Sequence, residues 1–307
     1  MSGAWPLDGI TVFERGWLSS NNVLVRGEGG AASALIDTGY STHSAQTVAL
    51  VRHALGDEPL GEVLNTHLHS DHCGGNAALQ AAFGCGISIP ASEAEAVAAW
   101  DMSKLTYAAT GQVCDRFMHD SVLHPGSTRV IAGRQWQVLA APGHDPQSLV
   151  FYEPEQRVLV SADALWENGF GVVFPELEGV SAFDEVRATL DLIAGLKVNT
   201  VIPGHGRPFH DVGQALELAY SRLESFVRDP VRHGWYSGKA LLKFHLLEVR
   251  QEPVDWCLRW LRETPYFGLI HQRYFADQPA EDWCLALLHA LERSDAVRIE
   301  GGEVLDV

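Results

Sequence analysis

The sequence predicts an α+β fold: two β-sheets packed face to face, helices covering them, and a helical C-terminal region closed by a β-hairpin. Three observations predict it. Through residue 210, short apolar runs bounded by Gly and Asn alternate with segments of helical period. Strand clusters with interspersed helices fit two sheets under a helical cover. From Asp211 to Arg293 the apolar spacing is helical almost throughout. The closing VRIEGGEVLDV sets two short alternating runs about Gly301-Gly302, a hairpin signal.

The elements follow in order. GITVFER, NNVLVRG and ASALIDTG read as strands, because Val, Ile, Leu and Phe sit between turn-forming residues. HSAQTVALVRHAL is a helix by its apolar spacing. GEVLNTH is a buried strand whose end delivers the chain into a histidine-rich segment. GGNAALQAAFG is expected as a helix, ISIP as a strand, and ASEAEAVAAW as a helix capped by Ser92. The stretch from Asp101 to Asp120 reads as mostly helical. RVIAG, WQVLAA, SLVFYEP and RVLVSAD are strands, SAFDEVRATLDLIAGL a helix and NTVIPG a strand. VGQALELAYSRLESFV, GKALLKFHLLEVR, VDWCLRWLRE and EDWCLALLHALER are helices. With the final hairpin they resemble a winged-helix arrangement. A domain boundary is placed near residue 210, dividing 1–210 from 211–307.

Composition narrows the function. Hydrophobic residues make up 46% of the 307 and charged residues 20%, as in ordinary soluble domains. No apolar run approaches the roughly 20 residues that span a bilayer, so no membrane role is expected. MSGAWPLDGITVFERG lacks the basic and apolar regions of a signal peptide. Cys73, Cys85, Cys114, Cys257 and Cys284 show no metal-type spacing, which fits reduced thiols in the cytoplasm. The net charge of −17 argues against nucleic acid, whose affinity for proteins comes mainly from Lys and Arg.

The chemistry lies in NTHLHSDHCGG, residues 65–75. His67 and His69 are two apart, so on an extended segment they project to one side and can grip one metal ion. Asp71 and His72 can present an oxygen and a nitrogen to a second ion. One segment cannot complete two such sites. His144 in APGHDPQS, Asp163 in VLVSADALW and His205 in VIPGHGRP each fall at or after a predicted strand end. The Pro-Gly before His144 and His205 suits a tight turn close to an ion. Asp163, with two oxygens, can bridge two cations. One ion would then take His67, His69, His144 and the bridge; the other Asp71, His72, His205 and the bridge. The remaining nine histidines are read as ordinary surface or core residues.

This set resembles the metallo-β-lactamase superfamily, whose signature is H-x-H-x-D-H followed by a lone His, an Asp and a final His. The resemblance covers about residues 10–210 and implies an αββα sandwich forming the catalytic domain. Asp37 in LIDTG also matches a recurrent position, where it would orient a ligand from behind; a plain turn role beside Gly39 is the alternative. Two divalent cations are implied, zinc first, with iron or manganese accepted by the same donors. Such a pair lowers the pKa of a shared water from about 15.7 toward 7. A metal-bridging hydroxide would then attack a carbonyl, oriented by Asp71 as the catalytic carboxylate.

HLHSDH, PGHD, SADAL and PGHG with a helical C-terminal region are similar to hydroxyacylglutathione hydrolases (glyoxalase II) and related thioesterases. The chain departs from that pattern at Ala162, where Gly is usual, and it shows no basic cluster for glutathione carboxylates. The implied function is a dinuclear hydrolase acting on a thioester, lactone or related small acyl compound. Trp166 is the candidate substrate contact, with Phe170 and Phe174 near the cleft, while Lys239 and Lys243 read as a solvated helix face. The alternatives are a persulfide-type iron dioxygenase, a nuclease of the ribonuclease Z type, and a non-catalytic interaction protein. The apolar face of LALLHALER could serve a homodimer, with core burial as its default reading.

Overall fold

A computed structural model describes residues 7–307. The reading of the N-terminus as free of a signal segment rests partly on residues 1–6, outside the described residues. The first half comprises β1 (Ile10–Phe13), β2 (Asn22–Val25), β3 (Ser33–Ile36), α1 (Ser44–Leu55), β4 (Leu60–Leu64), α2 (Ser70–Cys73), α3 (Asn76–Phe83), β5 (Gly86–Pro90), α4 (Ala94–Ala99), α5 (Tyr107–Thr110) and β6 (Ser121–Leu123). There follow β7 (Thr128–Ile131), β8 (Arg134–Ala140), β9 (Leu149–Glu153), β10 (Val158–Ala162), α6 (Phe174–Glu178), α7 (Phe183–Gly195) and β11 (Thr200–Pro203). The C-terminal region holds α8 (Val212–Arg228), α9 (Pro230–Val249), β12 (Gln251–Pro253), α10 (Val254–Glu263), α11 (Pro265–Tyr274), α12 (Ala280–Arg293), β13 (Val297–Glu300) and β14 (Glu303–Asp306).

Two sheets form the centre. One runs β1-β2-β3-β4-β5-β6, antiparallel as far as β3 and parallel beyond it. The other runs β11-β10-β9-β8-β7, with β10 and β11 parallel and the rest antiparallel. The period of two along each strand builds the layers. Val23, Val25 and Ile36 point between the sheets and meet Trp136, Val138 and Phe151. Leu24, Leu35 and Val63, one residue out of phase, face Val51 and Leu55 of α1 and Leu79 of α3. Val150, Leu159 and Val201 face Leu190 of α7 and Leu223 of α8 on the far side. The result is the expected helix–sheet–sheet–helix sandwich. Each such large apolar side chain contributes about 1.5–3 kcal/mol on burial.

The C-terminal helices build a separate cluster around Leu242, Phe267, Trp283 and Leu287. Its hairpin, β13 and β14, pairs Ile299 with Val304 and gains β12 as a third strand. Lys243 of α9 is not a solvated lysine: its Nζ meets Ala296 O at 2.7 Å and the Asp306 carboxylate. Among the described residues no helix is long and apolar enough to cross a membrane.

Three local expectations differ. Residues 101–120 hold only the four-residue α5. Thr106 (φ 59°) and Gly111 (φ 73°) bracket it in left-handed backbone, which stops a helix at both ends. Leu105, Tyr107 and Phe117 instead pin an irregular strap onto the first sheet's helical layer. Ser92 lies inside a 3₁₀ turn, Ala91–Glu93, and α4 starts after Glu93 with no side-chain cap. Helix α11 escaped the pattern; it starts at Pro265, which fixes φ at a first helical position.

Candidate metal centre

The chemistry-bearing residues all leave strand ends on one rim of the sandwich. Asp37 follows β3, His67 to His72 follow β4, His144 follows β8, Asp163 follows β10 and His205 follows β11. They gather into two groups, His67 with His69 and His144, and Asp71 with His72, Asp163 and His205.

In the first group three imidazole nitrogens converge. His69 Nδ1 lies 3.1 Å from His67 Nε2 and 2.8 Å from His144 Nε2. Their outer nitrogens are engaged elsewhere: His67 Nδ1 lies 3.0 Å from Thr66 Oγ1, and His144 Nδ1 donates to Val172 O at 2.6 Å. In the second group His205 Nε2 lies 3.0 Å from Asp71 Oδ2. His72 Nδ1 is held by Asp37 Oδ2 at 2.8 Å, which turns Nε2 inward. That inward nitrogen is buried without a hydrogen-bond partner.

Asp163 joins the groups. Its Oδ2 lies 3.4 Å from His144 Nε2, while its Oδ1 lies 3.4 Å from His72 Nε2 and 3.8 Å from His205 Nε2. Tetrahedral ligands about 2.1 Å from an ion sit about 3.4 Å from one another. The separations of Asp163 from His144 and His72 match that figure, and His72 Nε2 faces the group with no hydrogen-bond partner. The donor sets therefore fit two divalent ions with a shared carboxylate.

The turns exist to allow this closeness. A Cβ at Gly204 would stand 2.2 Å from Asp163 Oδ1, so no other residue fits before His205. Asp37 has a φ of 58° in the turn after β3, and its carboxylate also accepts from Thr66 N and Oγ1. Cys73 is a fully buried packing residue.

Electrostatics divide the histidines. Burial, aided by neighbouring imidazoles, holds His67 well below its ordinary value, and burial brings His69 and His144 down to about 4. These three are neutral and ready to donate lone pairs. Burial opposes charge on His72 as well, but the carboxylates of Asp163, Asp37 and Asp71 outweigh it and raise the group well above its ordinary value. Burial likewise opposes ionisation of Asp163 and Asp71, yet His72 and His205 keep both below the usual carboxylate range.

A cavity of about 420 Å³ opens onto the cluster. Its walls come from Trp17, the 101–120 strap, the loop after β10 and one face of α9. Trp166 lines it, in edge contact with Trp17 at 5.3 Å, and donates its indole Nε1–H to Asp163 Oδ1 at 3.2 Å. Phe174 also lines it, 4.7 Å from the His69 ring. Phe170 does not: it is a buried core side chain against Phe226, because the loop turns it away from the cleft. Sequence reasoning missed Trp17, whose ring stacks on His205 at 5.3 Å, and Arg222 and Tyr236 in the cavity wall. No local signal marks them; only the packing of α8 and α9 brings the last two there.

Comparison with known proteins agrees with this geometry. Residues 15–205 match the family described as the Metallo-beta-lactamase superfamily. The hydroxyacylglutathione hydrolase of Hyphomonas neptunium (strain ATCC 15444) is 30% identical over 115 residues, 38% of this chain and 38% of that protein. Its counterpart in Synechococcus sp. (strain JA-3-3Ab) is 33% identical over 136 residues, 43% of this chain and 46% of that one. The matched stretch thus spans less than half the length of either curated relative. A metallo-beta-lactamase family protein from Thermus thermophilus superposes with a TM-score of 0.58 at 21% identity, covering 98% of this chain and 99% of that one. The BLEG-1 B3 metallo-beta-lactamase gives 0.56 at 23%, covering 68% and 96%. At these identities the two structures show a shared fold.

Proposed function

The chain belongs to the metallo-beta-lactamase superfamily, and from that premise we propose that it is a dinuclear metal-dependent hydrolase of a small acyl compound, a thioester before a lactone. One observation carries the reading: the two oxygens of Asp163 reach toward different ligand groups, as a carboxylate shared by two ions must. His67, His69, His144 and Asp163 would hold one divalent ion and Asp71, His72, His205 and Asp163 a second, and such ions would supply an activated water and a Lewis acid for the carbonyl. Zinc is the preferred ion for such nitrogen and oxygen donors.

The chain's residues do the rest. Asp71, kept ionised beside His72 and His205, would orient the attacking water. Trp166 holds Asp163 by its indole N–H, and its ring with Trp17 and Phe174 excludes solvent from the acyl group. A thioester and water give a carboxylate, a thiol and a proton. Residues 1–210 would carry the chemistry, and 211–307 would complete the substrate wall with α8 and α9. The cytoplasm belongs to the same reading, supported by five free thiols.

Metal analysis with an activity panel of thioesters, lactones, β-lactams and phosphodiesters tests it. About two ions per chain and metal-dependent thioester cleavage are expected, both lost in Asp163→Ala. Less than about one ion per chain with no gain on adding zinc, or turnover that persists in Asp163→Ala, overturns it.

A further inference from the structure

Arg222 is a cation without a counter-charge. It lies on α8, half-buried, in the wall of the cavity. Among the described residues it forms no ion pair, in a chain where 39 acidic residues outnumber 22 basic ones. Some other basic groups are matched, Arg129 by Glu62, Arg134 by Glu28 and Lys243 by Asp306, while half-buried Arg15 bonds only the neutral side chains of Asn22, Thr47 and Gln46. Glu167, on the cavity rim, is exposed and does not bond it.

The guanidinium is also held still. Its Nη1 donates to Phe170 O at 3.4 Å, and it rides over the Tyr236 ring at 5.3 Å. Tyr236 OH donates to the same carbonyl at 3.0 Å, so the ring is fixed too. Gly169 (φ 115°) closes the third side, where a Cβ would stand 2.4 Å from Nη1. The next residue after Phe170, Gly171, donates its N–H to Asp163 O at 2.9 Å. The charge is therefore anchored to the loop that carries the shared carboxylate, with donors left over. A partly buried charge lacking a partner is costly, and a ligand anion would offset that cost.

We propose that Arg222 binds a carboxylate on the acyl half of the substrate, so that the substrate is a monoacyl derivative of a short dicarboxylic acid. The inference rests on the hydrolase reading above. A planar guanidinium fork matches a carboxylate. A single unpaired cation matches one negative charge better than a phosphate's two, since Lys243 is held by Asp306 and Arg207 stands exposed beside Glu14. Arg222 is half-buried while Arg207, Glu167 and Asn168 lie toward the mouth, which places the charged acyl group inward and the leaving thiol outward.

Matched thioesters of N-acetylcysteamine test it: glutaryl, which carries the carboxylate, and pentanoyl, which has the same chain length without it. Native zinc-loaded protein should favour glutaryl in kcat/KM by about tenfold to a hundredfold, the range of a charge-assisted hydrogen bond. Arg222→Gln should bring the ratio to about one, and Arg222→Lys should restore part of it, with thermal melts confirming that both variants fold. A native ratio near one, or a ratio that Arg222→Gln leaves unmoved, overturns the proposal. So does Arg222-dependent preference for a carboxylate on the thiol half or for a phosphorylated acyl group. If neither thioester is cleaved, the hydrolase reading fails instead. Calorimetry of glutarate with metal-free native and Arg222→Gln protein then decides the inference alone: binding that needs Arg222 upholds it, and equal binding overturns it.

Discussion

His72 Nδ1 meets Asp37 Oδ2 at 2.8 Å, in a pocket that leaves both side chains almost closed to water. The contact fixes which imidazole nitrogen turns toward the cluster. Asp37→Asn keeps the size and removes the charge. It should weaken metal binding at the Asp71–His72–His205 group by about 10–100-fold. Competition with a chromogenic chelator measures this, and unchanged affinity would deny Asp37 any orienting role.

Zinc binding to metal-free protein near pH 7 should release about one proton from His72 and none from His67, His69 or His144. The sign follows from the shifts: carboxylates outweigh burial and keep His72 protonated, whereas burial keeps the other three neutral. Metal affinity should therefore rise with pH above neutrality until His72 titrates. Calorimetry in buffers of differing ionisation enthalpy counts the protons; zero release would contradict the charged His72.

His233 on α9 is fully buried, and its Nε2 accepts from Val173 N at 3.1 Å. Burial lowers its pKa from 6.5 to about 3. Above pH 6.5 both folded and unfolded chains hold it neutral. Between 6.5 and about 3 only the unfolded chain takes the proton, so stability falls by up to roughly 1.4 kcal/mol per pH unit, then levels. Urea titrations of metal-free native and His233→Gln protein should show the slope shrinking in the variant. Parallel slopes would rule His233 out as its source.

Ala162→Gly should stabilise the fold. Ala162 sits at φ 46°, at the register shift where β10 meets β11. Left-handed backbone costs a residue with a Cβ about 1–2 kcal/mol, of which glycine's own entropy returns part. A net gain of about 0.5–1 kcal/mol is expected, visible as a modest rise in Tm. A fall would mean that the buried methyl contributes more than the strain removes.

The candidate metal-site residues were legible because each member is local. His67 to His72 follow one strand directly, and His144, Asp163 and His205 sit at recognisable strand ends beside turn residues. The strap across 101–120 was not. Its apolar residues tolerate a helical spacing, but left-handed Thr106 and Gly111 break the run, and tertiary packing decides the rest. Trp166 was legible as a cavity wall, but not as a donor to Asp163. Ala162 stood out as a departure, and its physical meaning needed a backbone angle. Arg222 was invisible, since an arginine on an amphipathic helix looks solvated until its neighbours are in place.

One helix divides the molecule's labour. Tyr236, Ala240, Phe244 and Leu247 of α9 line the cavity, while Leu242 and Leu246 of the same helix sit in the C-terminal core. None of these residues belongs to the ligand groups. Selectivity and reactivity are thus written on separate parts of the chain. The cavity face of α9 can drift while the rim of strand ends keeps its arrangement. An exchangeable wall around a fixed reaction centre lets such a scaffold diversify without dismantling what makes it work.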